Sequence, residues 1–151
     1  MIHAIHAGES GKGGFRTKGI TVYGFGGRPI DFSTVVFPGK LNDCSACHAG
    51  TSYQLIGIWA APTANGILGS SVSTQTELAD PTDNLRISPT AAVCSSCHDR
   101  VGAQTHMADF LPRGQFSVTQ ATLDLGAVVE GCSSCHGPGG PVDVKVVHGV
   151  K

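Results

Sequence analysis

Three short stretches hold the side chains best suited to binding a metal or cofactor. All six cysteines of the 151-residue chain lie in them, as Cys44 and Cys47, Cys94 and Cys97, and Cys132 and Cys135. Each pair is followed at once by a histidine, His48, His98 and His136. With 7 histidines in 151 residues, three such placements are far beyond chance. On one helical turn, residues i, i+3 and i+4 share a face. Two thiols at that spacing reach two vinyl groups on one porphyrin edge, and the next imidazole falls under the iron. The pattern therefore reads as c-type haem attachment, with the cysteines as thioethers and the three histidines as proximal ligands.

The other chemistries of a CxxC pair fit poorly. A zinc site built from two pairs leaves the third idle and needs no histidine after each. A redox dithiol of the thioredoxin kind needs a βαβ context and one active pair. A disulfide between cysteines three apart is strained and closes a loop too short to stabilise much. The expected cofactors are three haem c groups.

Four histidines remain: His3, His6, His106 and His148. Three irons have three sixth positions, so these four are the distal candidates and one is spare. His3 and His6, three apart on a helix, share a face and are expected to serve two different, adjacent haems. His106 follows His98 by only eight residues, a short span for wrapping a porphyrin, and points to a different haem. His148 comes twelve residues after His136, beyond the loop "GPGGP", and suits a local or a remote haem. Met107 and Met1 are alternative axial ligands, although packing is the commoner use of methionine. With all three irons held by histidine on both sides, no open site is expected. The chemistry is then that of an electron carrier rather than of an enzyme.

The elements that position these residues must be slight. Glycine makes up 21 of 151 residues, aromatic residues 6% and charged residues 14%, the last well below the usual quarter. So thin a polypeptide core needs a staple. The expected architecture is a single trihaem cytochrome c domain over residues 1–151. It is mostly coil, with short helices at the haem motifs, a few short strands, and the haems themselves as the core. Residues 19–29 suggest a short strand or hairpin, and 31–39 a further extended piece. Ser88 and Pro89 mark a helix start ahead of Cys94, and Asn42 marks a second ahead of Cys44. Residues 119–132 suit a short strand or helical turn, 63–80 a surface excursion, and Trp59 packing against a haem edge or a neighbouring subunit. "GESGKGG" (8–14) lacks the first glycine and the hydroxyl residue of a phosphate loop.

A net charge of −1 excludes a nucleic-acid partner, because no basic stripe is present to neutralise phosphates. The apolar run 55–69 is broken by Pro62 and Asn65 and does not read as a transmembrane segment. No secretion signal is visible at the start. Haem c is attached outside the cytoplasm, so an exported protein is expected, extracellular or at the cell surface, with the periplasm as alternative.

"MIHAIHAGE", "DFSTVVFPGKLNDCSACHAGTSYQL", "PTAAVCSSCH" and "CSSCHGPGG…DVKVVHG" together resemble the C-terminal part of the outer-surface decahaem c-type cytochromes of the OmcA/MtrC type. The resemblance implies an extracellular electron-transfer protein with bis-histidine haems, passing electrons to minerals, soluble shuttles or other multihaem cytochromes. It supports His48, His98 and His136 as proximal ligands and His3, His6, His106 and His148 as distal candidates. Members of that family carry two five-haem halves with intervening β-domains, whereas three motifs stand here. The chain is then a fragment of a larger decahaem metal reductase, a discrete periplasmic carrier, or a reduced trihaem protein. The last suits a homo-polymer, a conductive filament or nanowire with haems stacked across subunits, in which His3 and His6 are candidates to donate to a neighbour's iron.

Overall fold

A computed structural model describes residues 2–14, 16–55, 67–68, 80, 82–109, 114, 116–125 and 128–150. Met1, Trp59 and all of 63–80 except 67–68 and 80 lie outside the described residues. The chain opens with helix α1 (Ile2–Ala7), whose small Ala4 and Ala7 are buried. The helix stops at Gly8, which takes φ +57°, a left-handed conformation that glycine adopts at little cost. A Cβ at Gly8 would also lie 2.6 Å from the Val35 carbonyl oxygen. The close approach lets 8–16 fold back on 33–36, with Glu9 N–H donating to Ser33 O at 2.8 Å.

Strands β1 (Thr21–Tyr23) and β2 (Pro29–Asp31) form an antiparallel hairpin, the second of the two forms expected there, with Val22 opposite Ile30. A short 3-10 turn over Phe25–Gly27 joins them. The extended piece expected over 31–39 ends at Asp31. The Asp31 carboxylate accepts from the Ser33 backbone N–H and hydroxyl, and Val35 N–H turns back to Phe32 O. That local side-chain competition breaks the strand.

A three-stranded antiparallel sheet follows in the order β3 (Ile67–Leu68), β4 (Leu85–Ile87), β5 (Val118–Thr119). Ile67 and Leu68 pair with Ile87 and Arg86, so this part of the expected surface excursion is sheet. The remaining helices are α2 (Pro89–Ser95), α3 (Val101–Asp109), α4 (Gln120–Asp124), α5 (Ser133–His136) and α6 (Val144–Val147). No helix is longer than nine residues among those described, and none is long and apolar enough to cross a membrane.

Caps decide where these helices begin. Ser88 and Pro89 open α2 as the sequence suggests, but the Ser88 hydroxyl does not cap its own helix; it donates to Glu130. Asn42 caps nothing: the turn at Cys44–Ala46 starts from Asp43, and the Asn42 amide donates to His148 O at 2.8 Å. Thr119 caps α4, and Asp143 caps α6 by accepting from Lys145 N–H at 2.8 Å. Among the described residues the buried apolar side chains are four alanines, three valines and Leu123. Only Val118, Leu123 and Val128 form a cluster. Truncating Leu123 to alanine would cost about 2–5 kcal/mol, so this cluster matters locally, but it is small for a chain of 151 residues.

Candidate haem sites

Each CxxCH stretch closes into a single turn. His48 N–H donates to Cys44 O at 2.9 Å, His98 N–H to Cys94 O at 2.8 Å, and His136 N–H to Cys132 O at 2.9 Å. These bonds span i to i+4, the helical ring that sets two thiols and an imidazole on one face. The three turns arise differently: the first is a 3-10 turn in a loop, the second ends α2, and the third is α5. Gly140 allows the third to be wrapped tightly, since a Cβ there would clash with Cys135 O. No disulfide links any of the six cysteines.

The histidines face one another in pairs. His48 faces His3 with ring centroids 5.9 Å apart, His98 faces His148 at 6.0 Å, and His136 faces His106 at 6.1 Å. The separations are nearly constant while the interplanar angles are 29°, 56° and 75°. An axis through a shared metal fixes the distance and leaves the twist free. Two metal–nitrogen bonds of about 2.0 Å and two imidazole radii of about 1.1 Å together span about 6 Å. The residues present thus fit an iron held from both sides.

Hydrogen bonds set the ring orientation. The His148 Nδ1–H donates to Val144 O at 2.9 Å, and the His136 Nδ1–H to Val142 O at 3.2 Å; in each case this leaves Nε2 as the nitrogen available to a metal. His48 Nδ1 lies 3.4 Å from the Ser52 hydroxyl. Burial, together with the neighbouring His48, holds His3 below the ordinary histidine value, and burial with His148 and His136 does the same for His98. Both shifts favour the neutral, metal-binding form. The thiols move the other way. Burial, reinforced by Cys132, Glu130 and Cys97, pushes Cys94 up to about 12, and burial also raises Cys44, Cys97 and Cys132. Raised thiol values of this kind disfavour dithiol exchange, which needs a thiolate. Among the described residues no group of three or more His, Cys, Asp or Glu side chains is arranged to hold a metal ion.

The pairing crosses the chain. His106, which follows the second motif, faces the third; His148, which follows the third, faces the second. His3 and His6 lie against different partners. His3 faces His48, whereas His6 packs edge-on against Phe37 at 5.8 Å, with its Nδ1 3.2 Å from Ile2 O. Met107 lies beside His106 on α3, and its carbonyl accepts from Gly114 N–H.

The second motif is tied to both others. Arg16 donates to Ser96 O at 2.6 Å and lies 3.6 Å from Asp99, whose carboxylate also accepts from Thr17 N–H and Oγ1–H, both at 2.9 Å. Asn42, two residues before Cys44, holds the carbonyl of His148. Glu130, two residues before Cys132, accepts from Ser88 Oγ–H, Thr90 N–H and Ala91 N–H at 2.6, 2.7 and 2.8 Å, and so caps α2 in place of Ser88. Sequence inspection passed over Arg16, Asp99 and Glu130. Proximity to the motifs was the only signal for the last two. A cleft of about 630 Å³, lined by Ala92, Ser95, Ser96, Tyr23 and Phe116, lies behind the second motif. Along α2 and the turn that ends it, Ala92, Ser95 and Ser96 stand opposite Cys94, Cys97 and His98.

A family model described as outer membrane cytochrome MtrC/MtrF-like, domains II/IV, matches residues 1–149. No curated protein and no solved structure matches the chain.

Proposed function

The chain belongs to the MtrC/MtrF-like outer membrane cytochromes, and from that premise we propose that it transfers electrons outside the cell through three covalently bound c-type haems. Cys44 and Cys47, Cys94 and Cys97, and Cys132 and Cys135 form the thioethers. His48 with His3, His98 with His148, and His136 with His106 hold the three irons. The observation that carries this reading is the three imidazole pairs, each joining one CxxCH histidine to one from elsewhere at 5.9–6.1 Å.

When bound, each haem supplies a one-electron ferric/ferrous couple. The chain's own residues do the rest. The three imidazole pairs would hold each iron from both sides, which would leave none open to substrate and make the protein a carrier rather than an enzyme. Bis-histidine ligation keeps the couples at lower potential than a methionine ligand would. Bound haems would add apolar surface to an interior that, among the described residues, has eight small or medium buried apolar side chains. The partners are other multihaem cytochromes and extracellular acceptors at the cell surface.

The sharper form of the proposal is a homo-polymer in which haems of successive copies come close enough to pass electrons. Phe25 stands fully exposed at the tip of the β1–β2 hairpin, flanked by exposed Tyr23 on one face and Ile30 on the other, and offers an apolar contact for a second copy. Because the three imidazole pairs close within one chain, the polymer needs no shared ligand. A copy whose own pairs are closed leaves no iron for His6. Intact-mass and pyridine haemochrome measurements test the trihaem reading: three covalent haems per chain support it, and a bare or zinc-bearing chain overturns it. Negative-stain images and solution mass test the polymer, which dispersed monomers at all salt concentrations would refute.

A further inference from the structure

Glu130 holds a position that the electron-transfer reading does not use. It stands two residues before Cys132, where the third motif begins, while its carboxylate caps the helix that ends in Cys94 and the second motif. Oε1 accepts from Ser88 Oγ–H at 2.6 Å and Ala91 N–H at 2.8 Å, and Oε2 accepts from Thr90 N–H at 2.7 Å. Ser88 is fully buried and Ala91 nearly so, and therefore the carboxylate is anchored in a partly dry setting. Among the described residues no Lys or Arg lies within ion-pair distance of it. A fixed negative charge favours the more positive of two states nearby, and a ferric iron carries one positive charge more than a ferrous one.

Given the trihaem reading, we propose that Glu130 is a shared positioning residue: one carboxylate anchors the second and third haem sites to each other and lowers the potential of both. The first site, built on His3 and Cys44–His48, is not anchored by Glu130, whose hydrogen bonds go to Ser88, Thr90 and Ala91, and its haem is expected to shift least.

The test is a spectroelectrochemical titration of the haem-loaded protein carrying Glu130→Gln, in which the amide keeps one acceptor oxygen and loses the charge. At a fixed applied potential two of the three haems should shift toward ferrous by at least threefold. That is about 30 mV, at 59 mV per tenfold for one electron. The remaining haem should shift least. Ser88→Ala separates charge from scaffolding and covers the case in which the glutamine variant does not assemble. It removes one proton donor from the carboxylate but leaves the charge, so the same two potentials should fall. Glu130→Asp, which retains the charge, should show little of the shift seen with glutamine. Three unchanged potentials in Glu130→Gln, an equal shift of all three, a shift of one alone, or a rise in Ser88→Ala would each overturn the proposal. Intact mass taken on every variant keeps the premise separate: fewer than three haems in the unsubstituted protein would defeat the trihaem reading rather than the role of Glu130.

Discussion

Replacing His148 by alanine tests the crossed pairing more sharply than any change at a CxxCH motif. His148 lies beyond the third motif, yet its ring faces His98 of the second at 6.0 Å. The substitution spares the fold around it. The backbone carbonyl that receives the Asn42 amide is retained, and α6 keeps its Asp143 cap. What is lost is one imidazole, so one iron in three should become high-spin while the other two stay low-spin. Magnetic circular dichroism or electron paramagnetic resonance reads that fraction directly. Removing the third attachment, by Cys132→Ser with Cys135→Ser, leaves two haems. Adding His148→Ala to that background should convert one of the two. If His148 served its nearer neighbour in sequence, at His136, neither remaining haem would change, and the crossed arrangement would be wrong.

Three further outcomes follow from the same geometry. His6→Ala should leave all three haems low-spin, because His6 contacts Phe37 and Ile2 O rather than another histidine; a high-spin signal would move the spare position elsewhere. His3 and His98 sit below their ordinary value in the folded chain, so the unfolded chain binds protons first as pH falls below about 6.5. Stability should therefore decline from about pH 6.5 downward until the folded values are passed, and metal ligation deepens that loss; chemical unfolding that becomes harder across this interval would contradict the assignment. Asp99→Ala removes the acceptor of the Thr17 and Lys18 amides and should cost about 2 kcal/mol locally. Exchange of those two amides should then quicken by about 30-fold at tenfold per 1.4 kcal/mol, and unchanged protection would show that the latch is not made.

The residues of the candidate sites differ in how readily the sequence discloses them. Cys44, Cys47 and His48 lie within one turn of chain, so their chemistry is written in contiguous spacing, and the same holds for the other two motifs. The hairpin at 21–31 and the Ser88–Pro89 helix start are equally local. The distal pairing is not local. His106 lies eight residues from His98 and faces His136, because α3 carries it away from its own motif; His148 returns to His98 because Gly140 and the Asp143 cap redirect the chain. Asn42 and Ser88 look like caps in sequence, but each spends its side chain on a contact made across the fold, to His148 O and to Glu130. Glu130 and Asp99 carry no motif at all. Their roles arise from partners 39 to 42 and 81 to 82 positions away, which a linear reading does not bring together.

The most direct test of the account is a map of iron positions in the assembled protein, from anomalous scattering at the iron edge. The account predicts three iron peaks per chain, one between His3 and His48, one between His98 and His148, and one between His106 and His136. An iron flanked by His6, by histidines of two different chains, or by no second histidine would contradict it.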